Sequence, residues 1–168
     1  MPVATHDSAL DCQATLVPTG DLAREASTAL ARSLTSKLVA VVLFGSRARG
    51  DASEGSDWDL LVIAEDLPAR LLDRQLYLKG ILPPHCRGSV SILAKTPRQF
   101  EAAVSSLYLD IALDGRVLCD PRGYAAERLA MLRRLMERLG LRRVRTPEGY
   151  DWRWNHAPSG GWILSWGD

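Results

Sequence analysis

Apolar positions along this chain recur with more than one period, and the changes between them mark out its elements. Leu22, Ala26, Ala29, Leu30 and Leu34 fall on one stripe at helical spacing, with Thr19-Gly20-Asp21 ahead of them as cap residues. That predicts an amphipathic helix covering one face of a sheet. The continuous, β-branched run Val39–Phe44 is long enough for a buried strand and too short for a helix. A polar stretch rich in Gly, Ser and Arg follows, and then a second apolar run, Leu60–Ala64, predicts a second buried strand. A helix is expected to begin at Asp66-Leu67-Pro68, with Leu71, Leu72, Gln75, Leu76 and Leu78 on its apolar side and Gly80 stopping it. Ile81–Cys86 contains Pro83-Pro84 and predicts a loop.

Gly88–Ala94 reads as a third strand. Thr96-Pro97-Arg98-Gln99 forms a capping box with proline at the first helical position. The helix it opens is expected to bury Phe100, Ala103, Val104, Leu107, Tyr108 and Ile111 and to close at Gly115. Arg116–Cys119 predicts a short fourth strand. Asp120-Pro121 then starts a helix through Leu139, apolar at Leu129, Leu132, Leu135, Met136 and Leu139. In the tail, Tyr150, Trp152 and Trp154 alternate with polar residues, as do Trp162, Leu164 and Trp166, around Ala157–Gly161. Alternation about a Pro/Gly turn predicts a C-terminal β-hairpin. Strands interleaved with helices place the chain in a mixed α/β class. Residues 1–18 show no period and are expected to be loosely ordered.

At 168 residues the chain is most simply one domain with a sizeable core. Its 21 basic and 20 acidic residues leave a net charge of +1, which gives no support for a general nucleic-acid binder. No signal peptide and no membrane span is evident, so a cytoplasmic protein is expected. Cys12, Cys86 and Cys119 lack paired spacing and read as reduced thiols. His85-Cys86 has no second pair at ligand spacing and reads as ordinary loop.

Chemistry concentrates between the first two strands. Asp57 and Asp59 sit where a strand begins, and alternation puts both carboxylates on one face. Beside the Gly45-Ser46 turn they make a hard-cation site, and Mg²⁺ bound in this way leaves positions for substrate phosphates. Arg47 and Arg49 are candidates for bidentate pairing with phosphate oxygens. The whole pattern, GSRARG followed by SDWDLLV, resembles the minimal nucleotidyltransferases of the polymerase-β-like superfamily, antitoxin-type members included. The resemblance implies a core of mixed sheet flanked by helices. The resemblance covers about residues 22–120; residues 19–140 are expected to form the nucleotidyltransferase domain, with 141–168 a basic exit and Trp-rich hairpin packed on it.

The activity it implies is Mg²⁺-dependent transfer of NMP, AMP from ATP first of all, to a hydroxyl on a protein, an RNA or a small molecule. Asp57 and Asp59 would be the catalytic metal ligands, holding two Mg²⁺ ions or alternatively Mn²⁺, while Gly45, Ser46, Arg47 and Arg49 would bind the triphosphate. The family usually adds a third carboxylate from the next core strand, where this chain has Ser91. A neutral hydroxyl is a poor metal ligand and a poor base at neutral pH. The alternative is therefore a catalytically weak nucleotide-binding module that regulates a partner by complex formation. Relatives of this size are often the antitoxin of a toxin–antitoxin pair whose toxin is a HEPN-type protein. A basic run of Arg128, Arg133, Arg134, Arg138, Arg142, Arg143 and Arg145 reads chiefly as a solvated face.

Overall fold

The computed structural model describes residues 21–147, 149–155 and 166. The expectations for residues 1–18, for Thr19-Gly20 and for a strand over 162–165 lie outside the described residues. Among the described residues no helix is long and apolar enough to cross a membrane.

Helix α1 (Asp21–Leu34) leads into strand β1 (Leu38–Phe44), the short helix α2 (Gly45–Arg49) and strand β2 (Trp58–Ala64). Helix α3 (Leu71–Ile81) precedes β3 (Val90–Lys95), and α4 (Pro97–Glu101) and α5 (Ser106–Asp114) precede β4 (Arg116–Cys119). Helix α6 (Tyr124–Leu139) and a hairpin of β5 (Leu141–Thr146) and β6 (Gly149–Trp154) complete the described chain. The main sheet runs β3-β2-β1-β4. β1 is antiparallel to both neighbours, whereas β2 and β3 are parallel, so the sheet is mixed as expected.

Alternation divides the sheet's side chains between two cores. Val41, Leu43, Leu60 and Val62 meet Ala26, Leu30 and Leu34 of α1. Val42, Leu61 and Ile63 meet Phe100, Ile111, Leu129 and Leu132 from the helices on the other face. Each such fully buried aliphatic side chain contributes about 1.5–3 kcal/mol. Covering on both faces explains why β1 and β2 read as unbroken apolar runs.

Three expectations are corrected. Helix α3 starts at Leu71, after an extended Arg70, and part of its expected apolar side faces solvent: Leu71, Leu72 and Leu76 are 70%, 68% and 64% exposed, whereas Leu78 is buried as expected. Beside Leu78 the inward side carries polar groups. β3 is an edge strand, and its outward carbonyls at Val90, Ile92 and Ala94 accept hydrogen bonds from Lys79, Gln75 and Arg74. Side chains of α3 thereby close an edge that would otherwise invite another strand. The buried Arg74 guanidinium also donates to Pro68 O at 2.9 Å and Gln99 Oε1 at 2.8 Å.

The helix opened by Thr96 is interrupted. α4 has the predicted capping box, but Ser105 accepts from Tyr108 N and starts α5 separately, leaving Ala103 and Leu107 exposed. Gly115 is extended rather than left-handed, and a Cβ there would lie 2.4 Å from Ile111 O. A C-terminal hairpin is present as expected, and in it Tyr150–Trp154 pairs with the preceding basic segment; the expected partner strand over 162–165 lies outside the described residues. The hairpin's register places Leu141 opposite Trp154, Arg143 opposite Trp152 and Arg145 opposite Tyr150. Trp152, Trp154 and Trp166 pack against the second core. Finally, Cys86 is a free thiol as expected, but Cys119 is disulfide-bonded.

Candidate nucleotide site

The site lies where β1 ends, at the head of β2. Gly45 opens α2 with φ +73°, a left-handed conformation that L side chains rarely adopt. Its missing side chain matters sterically as well: a Cβ at Gly45 would lie 2.3 Å from Asp59 Oδ2. The turn and the second carboxylate thus approach each other only because residue 45 is glycine. Phe44 pairs with Asp59 across β1 and β2, which fixes that approach.

Asp57 immediately precedes β2, and its Oδ2 accepts a hydrogen bond from Ser91 Oγ at 3.1 Å. Ser91 is paired with Asp59 in the parallel β2–β3 ladder. The hydroxyl therefore lies on the same side of the sheet as the two carboxylates. The Asp59 carboxyl is pushed above its ordinary value, first by burial and then by the negative charge of Asp57, with Arg49 opposing. Two carboxylate oxygen donors beside a glycine cradle fit a hard divalent cation.

The two arginines of α2 are held differently. Arg47 donates from Nε and Nη2 to Ser56 O at 3.1 and 2.9 Å, and from Nη2 to Glu54 O at 3.4 Å. Its guanidinium lies 4.6 Å from the centre of the Trp58 ring. It braces the connection that delivers Asp57, as does the Ser56 hydroxyl, which accepts from Ser53 N at 2.9 Å. Arg49 pairs with Asp51 at 3.1 Å and holds that exposed carboxyl below its usual range.

Arg49 also lies 5.4 Å from the ring centre of Tyr150, whose ring takes a second guanidinium, Arg143, at 4.5 Å. Arg143 in turn bridges Asp110 at 3.2 Å and Asp114, with Asp114 Oδ1 at 3.0 Å. The hairpin is thus wired to Arg49 through an aromatic ring and two cations. Sequence reasoning missed Tyr150 because its alternation signalled only a strand. The basic run is likewise not one solvated face: Arg128 pairs with Glu101 at 2.7 Å, and Arg133 donates to Ala112 O at 2.7 Å.

The sequence model of the family described as Nucleotidyltransferase domain matches residues 24–108. A Methanocaldococcus jannaschii protein named "Putative protein adenylyltransferase" is 56% identical over 45 residues, 27% of this chain and 31% of that protein. The matched stretch spans about a third of the relative's length. Among solved structures, a toxin–antitoxin with AMP-PNP is similar at TM-score 0.47 and 21% identity, over 68% of this chain and 90% of that one. A nucleotidyltransferase structure from Sulfolobus solfataricus, named as putative, is similar at TM-score 0.43 and 24% identity, over 69% and 90%.

Proposed function

The chain belongs to the nucleotidyltransferase domain family, and on that premise we propose that it transfers AMP from ATP to a hydroxyl of a protein, RNA or small-molecule acceptor in the cytoplasm. Residues 19–140 would serve as the catalytic body, on which the β5–β6 hairpin packs through Trp152 and Trp154. The observation that carries this reading is the Gly45–Asp59 approach beside the Asp57–Ser91 contact. Asp57 and Asp59 would hold Mg²⁺, which when bound supplies positive charge to the entering and leaving oxygens. The first turn of α2, at Gly45-Ser46, offers backbone N–H groups without partners inside the helix to the terminal phosphates.

Arg49 is better placed than Arg47 to face the triphosphate, because its charge already reaches Asp59 while Arg47 is engaged with loop carbonyls. The acceptor oxygen forms a bond to the α-phosphorus as the bond to the bridging oxygen breaks and pyrophosphate departs. The acceptor's proton passes to solvent, since Ser91 offers no basic group to take it. Purified protein with ATP labelled at the α-phosphate, Mg²⁺ and cell lysate tests this. Label should enter acceptor material from α-labelled ATP and not from γ-labelled ATP. Incorporation from neither would point to the second reading.

That second reading is a nucleotide-binding module that controls a partner of the HEPN type by covering it. Ser91 at the third-acid position favours it, as do the exposed Leu71, Leu72 and Leu76 of α3.

A further inference from the structure

Glu25 of α1 and the adjacent His85 and Cys86 lie far apart in sequence, yet their donor atoms all fall within 4.8 Å of one another. His85 Nε2 is 2.6 Å from Glu25 Oε2. The turn that carries the pair is stiff: Pro83 and Pro84 open it, Cys86 N donates to Pro83 O at 2.9 Å, and Ser89 N donates to Cys86 O at 3.1 Å. The Cys86 side chain forms a buried floor, while Glu25 and His85 stand at the surface above it.

We infer that Glu25, His85 and Cys86 form a cation site of the zinc class, separate from Asp57 and Asp59, that pins α1 to the turn following α3. Tetrahedral zinc, with bonds of about 2.0–2.3 Å, sets its ligands about 3.3–3.8 Å apart. The present separations, 2.6 Å between His85 and Glu25 and up to 4.8 Å overall, bracket that spacing, and the adjustment falls to the two exposed side chains. One sulfur, one imidazole nitrogen and one carboxylate oxygen suit zinc and not Mg²⁺, which prefers an all-oxygen shell. Binding releases the thiol proton to solvent, and the thiolate and carboxylate together neutralise the divalent charge. The fourth position is open to water. Bridging two segments this far apart in the chain closes a long loop and so restricts the unfolded state.

The full chain carrying Asp57→Asn and Asp59→Asn, so that the first site does not compete, would be titrated with Zn²⁺ and with Co²⁺ as a spectroscopic substitute. Co²⁺ should give thiolate-to-metal charge-transfer absorption with tetrahedral visible bands, and Cys86→Ser should abolish the charge transfer. His85→Ala and Glu25→Gln, at exposed positions, should each weaken Zn²⁺ at least about tenfold. The same two changes should remove the Zn²⁺-induced rise in Tm. Binding of Co²⁺ without the thiolate band would overturn the inference, as would unchanged Zn²⁺ affinity in either His85→Ala or Glu25→Gln.

Discussion

Replacing Gly45 by alanine separates backbone strain from damage to the site, because Gly50 supplies a matched control. Both glycines are left-handed, at φ +73° and +86°, so alanine at either costs about 1–2 kcal/mol. For a chain of this size each kcal/mol lowers Tm by about 2–4 °C. Both variants should therefore melt about 2–8 °C below wild type. They differ in their surroundings: a Cβ at Gly50 meets nothing within 4 Å, whereas one at Gly45 lies 2.3 Å from Asp59 Oδ2. Reaching ordinary contact, 3.4 Å or more, displaces that carboxylate by about 1 Å. Mg²⁺ accepts oxygens only near 2.0–2.1 Å in near-octahedral geometry, so the shift removes Asp59 from its shell. Misplacement of this size costs about 10²-fold in rate. Thermal melts, calorimetric titration of ATP with Mg²⁺ and α-label transfer would be run on both variants. Gly45→Ala should lose Mg²⁺-dependent ATP affinity and transfer while Gly50→Ala keeps them. Equal ATP affinity in the two variants would refute the idea that the glycine exists to admit Asp59.

Asp59 has a raised carboxyl pKa, so folding favours its protonated form: that advantage is present below the ordinary value of 3.8 and is lost as pH rises through the folded-state value. Asp59→Asn should accordingly raise Tm at neutral pH in chelator, with the gap to wild type closing in melts taken down through pH 3.8. Ser91→Asp would put a third carboxylate beside Asp57, 3.1 Å from the present hydroxyl, and should enlarge the Mg²⁺-induced rise in Tm. Given an acceptor, it should also speed label transfer, positioned base catalysis being worth about 10²–10⁴-fold. Arg74→Ala would strand the buried carbonyl of Ala94 and should destabilise the fold by at least about 1–3 kcal/mol. Faster amide exchange across α3 and β3 would locate that loss.

The candidate site was legible because its residues are local in sequence. Gly45-Ser46 follows β1 directly and Asp57-x-Asp59 leads into β2, so strand parity alone places the carboxylates on one face. What escaped depends on long-range partners. Leu71, Leu72 and Leu76 of α3 read as part of a buried stripe, but an edge strand needs hydrogen-bond donors, and the face that turns inward is the one where Arg74, Gln75 and Lys79 supply them beside Leu78. The break before α5 turns on Ser105, one cap among several serines in that region. Strand β5 escaped because apolar alternation hides how well arginines pair with aromatic residues across strands, as Arg143 does with Tyr150 at 4.5 Å. Glu25 stands 60 residues from His85, beyond any spacing rule.

Mg²⁺-dependent ATP binding to the unmodified chain, beside Asp57→Asn and Asp59→Asn, tests the shared carboxylate site most directly. A neutral amide is a poor substitute for an anionic ligand. Calorimetry should show saturable binding to wild type that chelator abolishes, and little or none to either variant at undiminished folded content. Affinity preserved in both variants, with Mg²⁺ present, would contradict the account.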